Sequence, residues 1–419
     1  MARQALPSIR NGARAGRGLK VDRSAQPRHE LDDPLGAFKK LQTAVAACDH
    51  AASQEALVDR FVARYPQSPL IGSVEAVIWY DGPGEVVLLR GDMLQERSEP
   101  LQRLGRTRLR YQHGHYESEA RLDYHLLVDG QDVGDPRNQR QAPSGYGPRG
   151  ELRMPGYAVS ELWQPRADVP AGTITAFADV ASGLYPSTRT IWVYTPPGYQ
   201  ATERYPSVFF HDGGDYLRFG QTQALFDNLI AAGLLPPCIG VFVNPSREHG
   251  RVVDYDLNPG YARFFADELV PWIDQRYAIS SAPAQRVIVG ASFGGLIALW
   301  IALQRPDLFG CVAAQSSFVS RRDDALIKLF QASPRVPLKI HLMVGSYETH
   351  IGPFDRDSGE ANFLRGNRAL HRVLQAKGYP VAYADYPEGH SWGLWRARLG
   401  AALQFLLSPS SIQAYTTGR

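Results

Sequence analysis

The sequence predicts an α/β fold: a doubly wound, mostly parallel sheet with helices on both faces, preceded by a smaller all-β unit. Three observations predict it. From about residue 170, short apolar runs alternate with helical stretches, the pattern of a parallel sheet covered on both sides. Between Ile71 and Asn138 the texture is instead short β-branched and aromatic runs parted by turns such as DGPGE. Residues 286–303, RVIVGASFGGLIALWIAL, then set a β-branched strand, a glycine turn and an apolar helix directly in series.

Composition bounds what this fold can do. The 419 residues carry 45 Lys+Arg against 42 Asp+Glu, a net charge of +3, too balanced to argue for nucleic acid as a partner. Hydrophobic residues make up 44% and charged residues 21%, which excludes wholesale disorder. No apolar run reaches the ~18 residues a membrane span needs, so no membrane partner is expected. Cys48, Cys238 and Cys311 are far apart and odd in number, which fits a reducing compartment better than disulfides or a Cys-type metal site.

The elements follow in order. Seven of residues 1–30 are Lys or Arg, without the apolar stretch of a secretory signal. Residues 1–34 are therefore read as a disordered basic tail, and the protein as cytoplasmic. Phe38, Leu41, Val45, Leu57, Phe61 and Val62 carry helical spacing until Pro66 and Pro69 stop it. VEAVIWY, VVLLRG, LRYQHG and LDYHLLVDG are strands. Residues 141–157 are rich in Pro and Gly and read as a loop or linker. These expectations make 35–165 an N-terminal unit, a short helical segment followed by short strands. Residues 170–408 are the catalytic unit and 409–419 a C-terminal tail. In the catalytic unit the strands TIWVYTP, SVFFHDG, CIGVFVNP, RVIVG, CVAAQS, KIHLMVG and VAYADY alternate with helical runs.

The chemistry centres on Gly290-Ala291-Ser292-Phe293-Gly294. A G-x-S-x-G is a weak signal alone in a chain with 39 glycines, but its strand–turn–helix setting is the one a nucleophile elbow requires. Ser292 is the candidate nucleophile, and the Phe293 N–H at the helix start a candidate oxyanion donor. A serine hydroxyl needs a base. His390, in the loop YADYPEGHSWGLW between the last strand and a C-terminal helix, is preferred to His350 and to His371, which lies in an amphipathic run. The acid should end a strand between the two. Glu348, three residues past KIHLMVG, is favoured over Asp355, Asp357 and Glu360. SVFFHDGGDYL offers a second oxyanion donor from 213–215, with Gly213 and Gly214 allowing close approach. His211-Asp212 lacks partners at ligand spacing and H-E-x-x-H is absent, so no metal and no cofactor are predicted. Every triad candidate lies beyond residue 285, so residues 35–165 are expected to shape substrate choice rather than chemistry.

TRTIWVYTPPGY, FFHDGGDYL, the GASFGG elbow, GNRALHRVLQAKG and GHSWGLWR together resemble the esterase D-like family of α/β-hydrolases, over about residues 170–408. RVVDYDLN followed by FFADELVPWID looks like the enterochelin (ferric siderophore) esterase branch, with Asp254 where that branch often carries Glu. VIWYDGPGEVVLLRGD and YHLLVDGQDVGDPRN resemble the early-set immunoglobulin-like sandwich preceding the hydrolase domain in that branch. The resemblance implies a serine carboxylesterase cleaving a small-molecule ester of the iron-loaded cyclic tri-ester siderophore class. The alternative is a feruloyl-, acetyl- or polyester-type esterase whose sandwich positions the substrate. A ferric catecholate is anionic and aromatic, so Tyr216, Arg218, Arg251, Trp392 and Trp395 are candidate substrate contacts. Arg247, Arg356 and Arg396 flank the same loops.

Overall fold

The computed structural model describes residues 33–158, 161–352 and 361–407. The basic tail, the C-terminal tail and the rival acids Asp355, Asp357 and Glu360, with Arg356, lie outside them, apart from Asp33 and Pro34. Those two start a helix: Asp33 Oδ1 accepts the Gly36 N–H at 2.9 Å, and Pro34 takes the first helical position, where its missing N–H costs nothing. Helices Pro34–Ala46 and Ala51–Arg64 realise the expected helical spacing.

Nine short strands follow: β1 Leu70–Ile71, β2 Glu75–Tyr80, β3 Val87–Gly91, β4 Ser98–Pro100, β5 Gln102–Arg103, β6 Arg110–His115, β7 Arg121–Val128, β8 Gln131–Gly134 and β9 Gly150–Arg153. They form two antiparallel sheets, ordered β1-β2-β6-β5 and β4-β3-β7-β8, with β9 on β7. Ala76, Ile78 and Tyr80 on one face of β2 pack with Leu89, Leu122, Tyr124 and Leu126 of the second sheet. Val77 and Trp79 on the other face pack under the two helices, with Phe38, Val58 and Phe61. Burial on both faces explains why EAVIWY is nearly continuous in hydrophobicity rather than alternating. β9 corrects the expectation that 141–157 is loop throughout. Only four residues long between prolines, it exists because it extends β7, with Leu122 opposite Leu152 and Asp123 opposite Glu151.

The second unit is an eight-stranded mixed sheet, α/β-hydrolase-like in form. Its strands are β10 Thr173–Ser182, β11 Ser187–Thr195, β12 Ser207–His211, β13 Ile239–Val243, β14 Arg286–Ala291, β15 Cys311–Gln315, β16 Lys339–Gly345 and β17 Val381–Tyr386, in the order β10-β11-β13-β12-β14-β15-β16-β17. From β13 onward all pairs are parallel, while β10 and β11 close one edge as an antiparallel hairpin. β12 to β16 are wholly buried, as strands covered on both faces must be. Helices Phe293–Gln304 and Phe363–Ala376 belong to one core layer and Thr222–Ala231 and Trp392–Leu407 to the other. Strand order reverses about β12 and β14, so their carboxyl ends open onto the crevice where such sheets hold ligands. No helix among the described residues is long and apolar enough to cross a membrane.

Candidate active site

Ser292 stands between β14 and helix Phe293–Gln304 with φ 57° and ψ −120°, outside the regions an L-residue prefers. The turn is held from both sides: the Ser292 N–H donates to the Gln315 carbonyl at 2.9 Å, and the Ser292 carbonyl accepts from Phe318 N–H at 3.1 Å. Gly290 is compulsory here, since a Cβ on it would sit 2.1 Å from the Gly294 carbonyl oxygen. The serine is 3% exposed, and its hydroxyl has no hydrogen-bond partner among the described residues.

The candidate acid and base meet across two loops. β16 ends at Gly345, and three residues on, Glu348 turns back under the sheet edge, 0% exposed. Its Oε2 lies 2.7 Å from His390 Nδ1. Its Oε1 accepts from the Gly345 N–H at 2.7 Å and from the Ser316 hydroxyl at 2.6 Å. The buried carboxylate is therefore satisfied at both oxygens, which holds the imidazole in one orientation. His390 is walled edge-on by Phe363 and Trp395, at ring-centroid distances of 4.7 and 5.1 Å. Ser316 is a residue that sequence reasoning missed. Its hydroxyl also accepts the Trp395 indole N–H at 2.9 Å, joining Trp395 to Glu348. Gln315 was missed too: it accepts from the Tyr216 hydroxyl at 2.6 Å and donates to the Trp395 carbonyl at 2.9 Å.

The loop after β12 lies over the elbow. Gly213 begins helix Gly213–Arg218, where first-turn N–H groups have no helical acceptor. The Gly214 N–H is bonded to Asn244 Oδ1 at 2.9 Å and the Asp215 N–H to the Asp212 carbonyl at 3.0 Å. Asp212 is tied to Arg251 by two bonds of 2.8 and 2.9 Å, and Arg251 also reaches the Ala291 carbonyl at 3.1 Å. Burial opposes the Arg251 charge, but the Asp212 carboxylate outweighs it and raises the guanidinium above its ordinary value. Arg251 thus couples the glycine loop to the elbow. His211, buried against Tyr261 at 2.8 Å, is pushed down to about 3 by burial and then by Arg251 and Arg189, so it stays neutral.

The remaining candidate contacts fall into two groups. Arg218 is exposed, above the Phe219 ring, and Trp392 is half-buried. Tyr216 is 1% exposed and packs edge-on against Trp392, which packs against Trp395, also buried. Tyr216 and Trp395 therefore support the aromatic wall from behind, and Trp392 is the part of it that reaches solvent. Arg247 pairs with Asp179, and Arg396 lies over Trp163, its guanidinium lowered to about 10 by burial. His371 stacks on Tyr383, and His350 lies beside Thr349. Asp254, buried, accepts from Ser246 and the Tyr185 hydroxyl. Among the described residues, one trio could ligate a metal, Glu75, His113 and His115, with ligand atoms within 4.8 Å of one another. It belongs to the N-terminal unit, and Glu75 is already engaged by Lys39 at 2.7 Å and His113 at 2.8 Å.

This geometry has relatives. The chain is 27% identical over 222 residues to the uncharacterized protein YjcH of Bacillus subtilis, covering 52% of this chain and 91% of that one. It is 26% identical over 292 residues to the iron(III) enterobactin esterase of Dickeya dadantii, covering 67% of this chain and 66% of that one. The ferric enterobactin esterase of Salmonella typhimurium shares the fold at a TM-score of 0.69 and 19% identity, over 81% of this chain and 94% of that one. The Esterase family model, described as "Putative esterase", matches residues 182–406, more than half of the chain. The chain therefore belongs to this esterase family, whose members are carboxylic ester hydrolases.

Proposed function

We propose that this protein is a serine esterase of the ferric siderophore type, working through an acyl-enzyme. The observation that carries the reading is the 2.7 Å contact between Glu348 Oε2 and His390 Nδ1, beside a strained serine at a strand-to-helix turn. Ser292 Oγ attacks the ester carbonyl carbon while His390 Nε2 takes its proton. The oxyanion is held by the N–H groups of Phe293 and Gly213, Gly214 being spent on Asn244. The carbonyl re-forms as the ester C–O bond breaks, and the leaving alcohol takes the proton from His390. Water, deprotonated by His390, then releases the acid and restores Ser292. Glu348 stabilises the imidazolium at each stage.

The substrate class rests on the relatives that are iron(III) enterobactin esterases and on the chemistry of the mouth. An exposed Arg218 and a half-buried Trp392 suit an anionic, aromatic ligand. In this reading residues 35–165 form an immunoglobulin-like early-set unit and 170–408 an α/β-hydrolase domain. Cys48, Cys238 and Cys311, all unpaired, fit a cytoplasmic setting. The test is Ser292→Ala, with a fluorophosphonate label and a panel of ferric catecholate tri-ester, feruloyl, acetyl and polyester substrates. The expected outcome is labelling at Ser292, loss of turnover by ~10⁴–10⁶ in the variant, and preference for the tri-ester. Labelling elsewhere, or a variant keeping more than a few per cent of activity, contradicts the nucleophile. Preference for a feruloyl, acetyl or polyester substrate leaves the machinery standing and replaces the substrate.

A further inference from the structure

The loop that carries His390 is seated on the N-terminal unit. Along it, the Pro387 carbonyl accepts the Arg121 N–H at 3.1 Å, and Arg121 and Glu388 form a parallel β-bridge. Gly389 lies so close to Asp92 that a Cβ on it would stand 1.9 Å from the Asp92 carboxyl carbon. The Ser391 hydroxyl is 3.4 Å from the Arg121 guanidinium, and a Cβ on Gly393 would stand 2.0 Å from that guanidinium's central carbon. Arg121 itself is 1% exposed and cannot swing away, because Asp123 at 2.8 Å and Glu151 at 2.7 Å hold it. Asp92 is likewise fixed, accepting the Asp123 N–H at 2.7 Å. The acid loop has its own tie: the Tyr347 hydroxyl, next to Glu348, donates to Glu117 of the N-terminal unit at 2.6 Å.

We infer that the N-terminal unit is a positioning element for catalysis, with Asp92 and Arg121 seating the 387–391 loop and Glu117 seating Tyr347, so that His390 and Glu348 keep their mutual geometry. This rests on the Ser292–His390–Glu348 reading above. It replaces the expectation that residues 35–165 shape substrate choice alone. A buried ion-pair cluster is a poor source of stability, since desolvating the charges offsets their attraction. Its effect here is directional: a guanidinium locked by two carboxylates leaves the loop one seat. Displacement by ~1 Å in a reacting constellation costs about 10²-fold in rate.

The experiment is a size swap in the full chain, read on p-nitrophenyl butyrate, an ester too small to sense a substrate cleft. Gly389 has a backbone conformation outside the left-handed region, so Gly389→Ala perturbs the contact with Asp92 rather than the chain path. Gly389→Ala should lower kcat about 10–100-fold, with KM within about twofold and a native melting transition. Adding Asp92→Ala, which removes the clashing carboxyl, should restore kcat about tenfold relative to Gly389→Ala. Gly389→Ala with near-parent kcat overturns the proposal, as does a double variant no faster than Gly389→Ala. Should Gly389→Ala fail to fold, Tyr347→Phe decides. A kcat lowered about threefold or more at constant KM supports the brace, and an unchanged kcat overturns it. Ser292→Ala, run in parallel, separates the two readings: if it keeps its turnover, the triad itself has failed, whereas an inactive Ser292→Ala beside an indifferent Gly389→Ala refutes only the brace.

Discussion

Glu348 has three partners on its two oxygens, His390 on one and Ser316 and the Gly345 N–H on the other, with Trp395 behind Ser316. Replacing it with Gln keeps the shape but places an NH₂ either against the Gly345 and Ser316 donors or against the imidazole N–H. Turnover of Glu348→Gln should fall by up to ~10⁴, the loss for the equivalent amide change in a serine protease. Ser316→Ala should cost less turnover. It should instead destabilise by about 1–3 kcal/mol, because the buried Trp395 indole N–H loses its acceptor. Steady-state kinetics with urea denaturation on both variants checks the order, and a Ser316→Ala slower than Glu348→Gln reverses the assignment. Ser292, His390 and Glu348 could be proposed as the triad from motif and chain order. Ser316 could not, because its importance comes from meeting a carboxylate 32 residues on and an indole 79 residues on, which leaves no local pattern.

At the scale of elements, the elbow was legible because it is local: strand, turn and helix are contiguous, and the turn is too tight for side chains at chosen positions. Gly290→Ala sets a Cβ 2.1 Å from a backbone oxygen that cannot retreat, whereas Gly294→Ala meets Asp212 Oδ2 at 3.1 Å, the end of a side chain. Gly290→Ala should therefore destabilise by about 1–3 kcal/mol or more and disable the elbow, and Gly294→Ala should be much milder. Denaturation midpoints and p-nitrophenyl butyrate turnover for the pair settle it, and equal effects would contradict the steric account. β9 and β10 were not legible. β10 is largely exposed on both faces, so TITAFADVAS has no alternation to read, and it is a strand because β11 pairs along its length. β9 is a strand because β7 offers an edge.

At the scale of the whole molecule, His211 and His341 are two of the histidines that burial keeps neutral among the described residues. His211 is pushed down to about 3, by burial first, and His341 to about 4 by burial. In the unfolded chain each titrates near its ordinary ~6.5. Below that, the unfolded state takes up protons that the folded state refuses. Their contribution is thus fully present above pH ~6.5 and falls as pH drops toward 4, at up to about 1.4 kcal/mol per pH unit for each histidine. Asp92 and Glu388, whose carboxyls burial raises, oppose this trend, since the folded state holds their protons more tightly. A single substitution isolates one histidine: His341→Leu should flatten the fall in stability between pH 6.5 and 4.5 by about one proton's worth. Guanidinium denaturation at three pH values measures it, and parallel slopes for parent and variant would contradict it.

What the sequence by itself determined is what depends on neighbours along the chain. The alternation of strand and helix after residue 170 follows from apolar period, and the elbow from contiguous glycines. The proposed order Ser292, Glu348, His390 follows from which strand ends carry reactive side chains. Tertiary structure decided whatever depends on residues far apart in number. It turned Tyr216 and Trp395 into backing for the aromatic wall and made Arg251 a tie between the glycine loop and the elbow. It also set Arg121 and Asp92, some 270 residues upstream of Ser391 in the case of Arg121, beneath the histidine loop. The physical reason is that periodicity reports which face of an element is buried, but not what it is buried against. Which guanidinium meets which loop is chosen only when the N-terminal unit and the mixed sheet pack against each other.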